Sequence, residues 1–365
     1  MMQQRLARLQ HIVNTASLDA IALVPGANLR YLSGQSFHLM ERPLILFVPA
    51  AGEAAVVIPS LEVQRIQEAG FTGHILAWRD ADGYLGAFDQ AAAVLGLAGK
   101  RVGVEGLTMR VKEGQIIQGL GASVIDADPD LVSLRVNKLS DEIENHRRAM
   151  QISERALATL LEQIQLGMTE RQIAKMLSDL QSDYGGAGNS FETIVLIGPR
   201  SAMPHGEPAD TPLQQGDTLL IDFGTRYNGY ISDITRTFFV GEPSAQVKAM
   251  YAAVLTANQA ARQAARPGIT GAELDRIATQ HLMDAGFSDY IKHRTGHGIG
   301  MEVHEHPNVS AENTRPMEAG MVFTIEPGLY AEGLVGIRIE DNVTITPDGA
   351  ETLTTFPREL TVLDL

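Results

Sequence analysis

Hydrophobic residues in the first third of the chain recur at two spacings, one helical and one of strands, and the two alternate. Leu6, Leu9, Ile12 and Val13 share one face of a helix predicted over residues 1–16. The apolar run 19–24, closed by Pro25-Gly26, has the length of a buried strand. Strands are expected at 44–48 and 54–58 around a turn at 50–53. A helix over 61–69 stopped by Gly70, a strand at 74–78 and a helix over 84–95 follow. A strand at 102–105, a helix over 111–120 and a strand at 123–126 complete the alternation. This pattern predicts an α/β domain. It holds no cluster of catalytic side chains, so its expected work is to cover or shape a site elsewhere, or to build an oligomer.

The acidic, proline-bearing segment Asp126-Ala-Asp-Pro-Asp130 breaks the pattern, and the domain boundary is drawn there: one domain over 1–130, a second over 131–365. Ser140 opens a long helix, with Asp141, Glu142 and Glu144 at the positive end of its dipole. It runs to the neighbourhood of Gln165 and is closed by Gly167. Thr169-Glu-Arg-Gln172 has the form of a capping box opening a second helix that ends at Gly185-Gly186. A strand at 191–197 leads into a Pro/Gly-rich loop over 198–216 that holds Met203-Pro-His205-Gly. The apolar strand 217–223 carries Asp222, Asn228-Gly229 marks a hairpin turn, and a returning strand over 231–240 carries Asp233. Helices over 245–265 and 270–285 precede a glycine-rich stretch. Strands at 321–326 and 335–346 follow, the second bearing Arg338 and Glu340. The second domain therefore reads as α+β.

Composition narrows the classes. With 44% apolar and 20% charged residues, each half can bury a core. The balance of 29 basic against 44 acidic residues, −15 in all, argues against nucleic acid, because phosphate binding needs a basic face. There is no cysteine, which excludes disulfides, thiolate metal sites and cysteine nucleophiles. The first residues are polar, carry Arg5 and Arg8, and lack the apolar core of a signal peptide. No run of about 18 apolar residues exists to span a membrane. A cytoplasmic location is the expectation.

The candidate chemistry lies between Asp222 and Glu340. His293, His297 and His304 sit in the glycine-rich stretch, with His297 framed by Gly296, Gly298 and Gly300, which permit a close backbone approach. Asp222 and Asp233 flank the predicted hairpin and would face one way across it. Two carboxylates that near repel unless they are protonated or bridged by cations. Glu326 sits where a strand turns at Pro327-Gly328. Arg338 and Glu340, two apart in a strand, share a face, so the arginine would orient the carboxylate. Alone, each of these residues reads as readily as an exposed charge or an ordinary loop histidine. Together, one imidazole and four carboxylates suit a pair of hard or borderline divalent cations, Mn(II), Co(II) or Zn(II). Such a pair acidifies a shared water, and the hydroxide attacks a carbonyl while histidines stabilise the oxyanion.

At these residues the chain resembles the pita-bread metallopeptidases, the family of methionine aminopeptidase, aminopeptidase P and prolidase. The motifs are Pro204-His205-Gly206, Asp222-Phe-Gly, Ser232-Asp233-Ile-Thr-Arg236, the stretch from His293 to Pro307, Thr324-Ile-Glu326-Pro-Gly328 and Arg338-Ile-Glu340-Asp. The first domain resembles the creatinase-type N-terminal domain of the proline-specific branch. The resemblance implies an α/β creatinase-type domain followed by an α+β pita-bread catalytic domain, two divalent metal ions with Mn(II) first, proline-containing peptides as substrates and a homodimer. It implies Asp222, Asp233, His297, Glu326 and Glu340 as metal ligands, with Glu326 also accepting the proton of the bridging water. It further implies His205 and His304 as the histidines that hold substrate and stabilise the oxyanion or the departing proline nitrogen, His293 as a substrate-side histidine and Arg338 as the residue that orients its neighbours.

Creatinase lacks the metal-ligand set that this chain fills, and silent binding relatives typically lose ligands, so both rank below a peptidase. Some prolidase relatives carry an arginine after the His-Glu-Xaa-Pro step, where this chain has Asn308. The resemblance therefore favours an aminopeptidase P-like activity on longer peptides ahead of an Xaa-Pro dipeptidase, with Arg30 or Arg42 of a partner subunit as alternative carboxylate-holding groups.

Overall fold

A computed structural model describes residues 2–365, which divide into two compact units between Arg135 and Val136. In the first unit, α1 (Met2–Thr15), β1 (Ala20–Leu23), α2 (Ala27–Ser33), β2 (Ile45–Pro49), β3 (Ala55–Pro59), α3 (Val63–Glu68), β4 (His74–Trp78), α4 (Leu85–Leu95), β5 (Arg101–Val104), α5 (Val111–Gly119), β6 (Ser123–Asp126) and α6 (Asp128–Arg135) follow one another. The six strands form one mixed sheet in the order β4-β3-β2-β1-β5-β6. Phe47, Trp78, Phe88 and Ile117 lie in the core between sheet and helices. The alternation expected from the sequence is present, with two additions. The helix α2 spans only seven residues, too few for a periodic face to show. The helix α6 starts in the acidic segment read as a break; Asp128 and Asp130 in its first turn favour the positive end of its dipole, and Pro129 suits a first turn that needs no N–H there.

The second unit contains α7 (Ser140–Gln163), α8 (Glu170–Asp183), β7 (Ile194–Ile197), β8 (Thr218–Phe223), β9 (Arg226–Tyr227), β10 (Tyr230–Ile231), β11 (Ile234–Val240), α9 (Ala245–Ala264), α10 (Gly271–Asp284), β12 (Gly296–Gly298), β13 (Glu305–Val309), β14 (Val322–Ile325), β15 (Gly328–Ala331), β16 (Val335–Arg338), β17 (Asp341–Thr346), β18 (Gly349–Thr352) and β19 (Thr361–Leu363). One sheet runs β19-β11-β8-β7, a second β13-β12-β14-β17-β18, and β9-β10 and β15-β16 are separate hairpins. Leu157, Leu160, Ile173 and Leu177 of α7 and α8 pack on Val195, Leu219, Ile221 and Phe238 of the first sheet. The α8 capping box forms as expected: Gln172 N–H donates to Thr169 Oγ1 and Thr169 N–H to the Gln172 side chain. Asn228 and Gly229 both have positive φ, 47° and 93°, as the tight turn between β9 and β10 requires.

Two expected strands are broken. The strand predicted over 231–240 is β10 and β11 with Ser232 and Asp233 between them, and that over 335–346 is β16 and β17 with Ile339 and Glu340 between them. In both places the chain leaves a hairpin for a larger sheet. A periodicity of two cannot reveal such a change of partner, because the apolar pattern continues through it.

Candidate metal centre

Asp222 stands in β8, opposite Ile194 of β7 on one side and Thr235 of β11 on the other. Asp233 and Glu340 occupy the two breaks just described. His297 is the middle residue of β12, and Glu326 follows β14. Glycine is needed beside the histidine: a Cβ at Gly296 would lie 2.0 Å from the Thr324 carbonyl oxygen, and one at Gly298 2.3 Å from the His306 carbonyl. These elements bring Asp222, Asp233, His293, His297, His304, His205, Glu326, Arg338 and Glu340 to the wall of one cavity of about 560 Å³. Phe191, Ile194, Pro204 and Val303 form its apolar side.

Ligand atoms of Asp233, His297 and Glu340 lie within 4.8 Å of one another. The His297 Nε2 is 3.3 Å from Glu326 Oε1 and 3.8 Å from Asp233 Oδ2. Its Nδ1 lies 3.1 Å from the Gly298 carbonyl oxygen, an acceptor only, so Nδ1 carries the proton and Nε2 presents a lone pair to the carboxylates. Burial, and then His304 at a ring-centre distance of 4.4 Å, lower the His297 pKa to about 3, which keeps the ring neutral.

The four carboxylates are poorly compensated. Burial, then Glu340, Asp222 and Glu326, push Asp233 well above the ordinary range. Glu340 is raised in the same way, by burial and then by Glu326 and Asp222. Glu326 rises to about 7, chiefly through burial, with Arg338 opposing. Asp222 receives a hydrogen bond from Arg338 Nη2 on one oxygen, and Glu340 receives one from Thr235 Oγ1 at 2.7 Å. Their other oxygens, Asp222 Oδ1 and Glu340 Oε1, are buried with no hydrogen-bond partner. Two orphaned carboxylate oxygens and an imidazole lone pair facing further carboxylates are what divalent cations would satisfy, and the donor set fits such ions.

The structure thus gathers every site residue expected from the sequence into one cavity. His205 and His304 are exposed on its rim, and both lie in irregular segments. His293 differs from the others in that both ring nitrogens are already engaged. Its Nδ1 donates to the Arg294 carbonyl at 2.6 Å, and its Nε2 accepts from the Tyr330 hydroxyl at 2.8 Å. Burial, then Arg338, lower its pKa to about 4. Tyr330 is also held by Arg338 Nη1 at 2.6 Å, and Arg338 Nε donates to Thr235 Oγ1 at 3.0 Å. A chain Asp222–Arg338–Tyr330–His293 results, which sequence reasoning missed. Its signal was the pairing of Gly328 with Arg338 in the β15–β16 hairpin, which puts Tyr330 and Arg338 near each other. Thr324 has a supporting role that its motif does not announce. Its hydroxyl accepts from His297 N–H at 3.0 Å and lies 3.3 Å from Glu326 Oε1, tying the two residues together. Arg294 also lines the cavity. It is exposed, and its guanidinium makes no hydrogen bond or ion pair among the described residues. Arg42, by contrast, is bound through Nε and Nη2 to Asp80 within its own unit.

Comparison with known proteins agrees with this geometry. Residues 144–347 match the sequence model of Metallopeptidase family M24, and residues 5–137 that of the Creatinase/Prolidase N-terminal domain. An uncharacterized peptidase of Staphylococcus aureus (strain MSSA476) is 32% identical over 355 residues, 97% of this chain and 99% of the relative. Among solved structures, the dipeptidase PepE from Mycobacterium ulcerans superposes with a TM-score of 0.93 at 36% identity, covering 99% of this chain and 98% of that one. A recombinant prolidase from Thermococcus sibiricus gives 0.94 at 32% identity, covering 100% and 99%. Among the described residues no helix is long and apolar enough to cross a membrane.

Proposed function

Because the chain belongs to Metallopeptidase family M24 and carries the Creatinase/Prolidase N-terminal domain, we propose that it hydrolyses the bond between an N-terminal residue and a following proline. The observation that carries this reading is the set of orphaned oxygens, Asp222 Oδ1 and Glu340 Oε1, in one cavity with the His297 Nε2 lone pair. Asp222, Asp233, His297, Glu326 and Glu340 would hold two divalent cations, with Mn(II) favoured by four oxygen donors and one nitrogen. Such a pair, when bound, makes a water acidic near neutral pH and polarises the scissile carbonyl.

The remaining steps belong to the chain. Glu326, whose pKa is raised to about 7, keeps 15% of its side chain open to the cavity and is suited to take the proton of the attacking water. His304, exposed on the rim, is held below the usual histidine range by partial burial, then Arg294, then His205. It and His205 are placed on the rim to hydrogen-bond the oxyanion or protonate the leaving nitrogen. Arg338 and Tyr330 fix Asp222 and His293 in place. The apolar wall of Phe191, Ile194, Pro204 and Val303 suits the proline ring and an apolar neighbour. Selectivity has a simple origin: an Xaa-Pro amide has no N–H, so a site that grips none loses nothing.

On chain length, the sequence alone favours longer peptides because position 308 is asparagine. The unpaired guanidinium of Arg294 on the cavity wall supports the other order. It offers a substrate carboxylate a partner without an arginine at 308, and a dipeptidase and a prolidase are among the solved structures similar to this chain. An Xaa-Pro dipeptidase is therefore our first reading. Product analysis by chromatography tests it. With added Mn(II), Xaa-Pro is expected to be cut, Xaa-Pro-Yaa-Zaa to be cut far more slowly, and EDTA to stop both. Cleavage of the longer peptide with the dipeptide intact would restore the aminopeptidase reading, and inertness toward both would refute the proposal.

A further inference from the structure

Asp233 and Glu340 supply two of the three ligand atoms that lie within 4.8 Å of one another, yet both residues sit in breaks between strands. Glu340 keeps one backbone bond there, its N–H donating to the Thr235 carbonyl at 3.1 Å. Side chains supply the rest. The carboxamide of Asn342, itself only 1% exposed, grips Asp233 at both backbone atoms. Its Oδ1 accepts from Asp233 N–H at 3.3 Å, and its Nδ2 donates to the Asp233 carbonyl at 2.8 Å. Arg236 does the corresponding work on the other segment. Its Nη1 donates to the carbonyl oxygens of Glu340 at 2.6 Å and Thr235 at 2.9 Å. Its Nη2 donates to Asp341 Oδ1 at 2.9 Å and Phe356 O at 2.8 Å, and its Nε to Pro357 O at 2.8 Å. All five N–H donors of a guanidinium are thereby used.

The exchange is reciprocal. Arg236 follows Asp233 in the chain and holds Glu340; Asn342 follows Glu340 and holds Asp233. We propose that Arg236 and Asn342 are positioning residues, a crossed clamp that fixes the spacing of the Asp233 and Glu340 carboxylates and so sets the affinity of the centre for divalent cations. This rests on the metal reading above. Neither side chain lines the cavity, so neither touches substrate. Each acts through the backbone of the residue it holds. In general, loss of a group that orients a metal ligand weakens metal binding about 10- to 100-fold.

The test uses the full chain stripped with EDTA and titrated with Mn(II), followed by calorimetry and by the electron paramagnetic resonance spectrum of the bound ions. Melting of the stripped protein is recorded in parallel. Asn342→Ala is expected to raise the Mn(II) dissociation constant about 10- to 100-fold and to alter the spectrum, while the stripped variant still melts cooperatively. Arg236→Lys, which keeps a cation but offers one nitrogen in place of three and so cannot serve Glu340, Thr235, Asp341, Phe356 and Pro357 together, is expected to do the same. Should Asn342→Ala not fold, Asn342→Thr keeps the bulk and a single hydroxyl and is expected to show the same direction. Wild-type Mn(II) affinity and spectrum in the folded variants would overturn the clamp and leave the metal reading intact. A wild-type protein that binds no Mn(II) would overturn both.

Discussion

Glu340 and Asp341 are consecutive residues, both nearly inaccessible, and their carboxylates occupy opposite surroundings. Asp341 receives Arg236 Nη2 at 2.9 Å on one oxygen. On the other it receives Asn258 Nδ2 at 2.9 Å and Arg358 Nε at 2.8 Å, with Arg262 Nε at 3.3 Å. Burial alone would raise its pKa, but Arg236, then Arg358 and Arg262, hold it below the usual range. Glu340 points the other way along the chain, into the carboxylate cluster. Burial raises it, Glu326 and Asp222 raise it further, and one of its oxygens has no donor. Burying a carboxylate is costly unless it is paired and hydrogen-bonded. At Asp341 the protein brings its own cations. At Glu340 it brings only Arg338, which is bonded to Asp222 and does not offset the rise, and a fold that can recruit three arginines one residue away is not short of the means. The deficit at Glu340 is therefore best understood as room for charge from outside.

Substitutions on the two sides should part company. Glu326→Gln, which removes the proton acceptor, is expected to cut kcat on Xaa-Pro substrate by about 10³-fold in steady-state assays, with the fold intact. Asp341→Asn leaves buried arginines without their anion and should cost about 3–5 kcal/mol in denaturant unfolding. Its neighbour should behave in the opposite sense. Glu340→Gln removes a charge that the metal-free protein does not accommodate, so the stripped variant should be at least as stable as stripped wild type while losing the stabilisation that Mn(II) confers.

The pH dependence sharpens the same contrast. The folded pKa of Glu326 is raised from 4.5 to about 7, so the native state holds protons that the unfolded chain releases. The stability that Glu326 contributes to the stripped protein is therefore fully present below about 4.5 and lost as pH rises through about 7, by roughly 3 kcal/mol. Because cations displace the same protons, Mn(II) affinity should rise over that interval, and melting of the loaded protein should show little of the decline. Thermal melts across this range, with EDTA and with Mn(II), check both signs.

Much of this arrangement was legible in the sequence because its carriers are chemically conspicuous. Alternating strands and helices with sharp turn signals gave the α/β unit almost element by element, and the acidic and histidine motifs pointed to the residues that line the cavity. What escaped was of two kinds. Helix α2 is too short to display a period, and the breaks at Asp233 and Glu340 lie inside continuous apolar patterns. The supporting residues escaped for a different reason. Tyr330, Thr235, Thr324 and Asn342 act through hydrogen bonds fixed by register across hairpins and sheets, and no local spacing announces such bonds. His293 shows the limit from the other side: the histidine was found, but only the structure shows that Tyr330 and Arg294 already occupy both nitrogens.

The most direct test is anomalous diffraction from crystals soaked in Mn(II). Two peaks are expected, each within coordination distance of side chains drawn from Asp222, Asp233, His297, Glu326 and Glu340, with Asp222 Oδ1 and Glu340 Oε1 among the atoms that touch them. No peak in this cavity, with the two oxygens satisfied by protons or water instead, would contradict the assignment of the site.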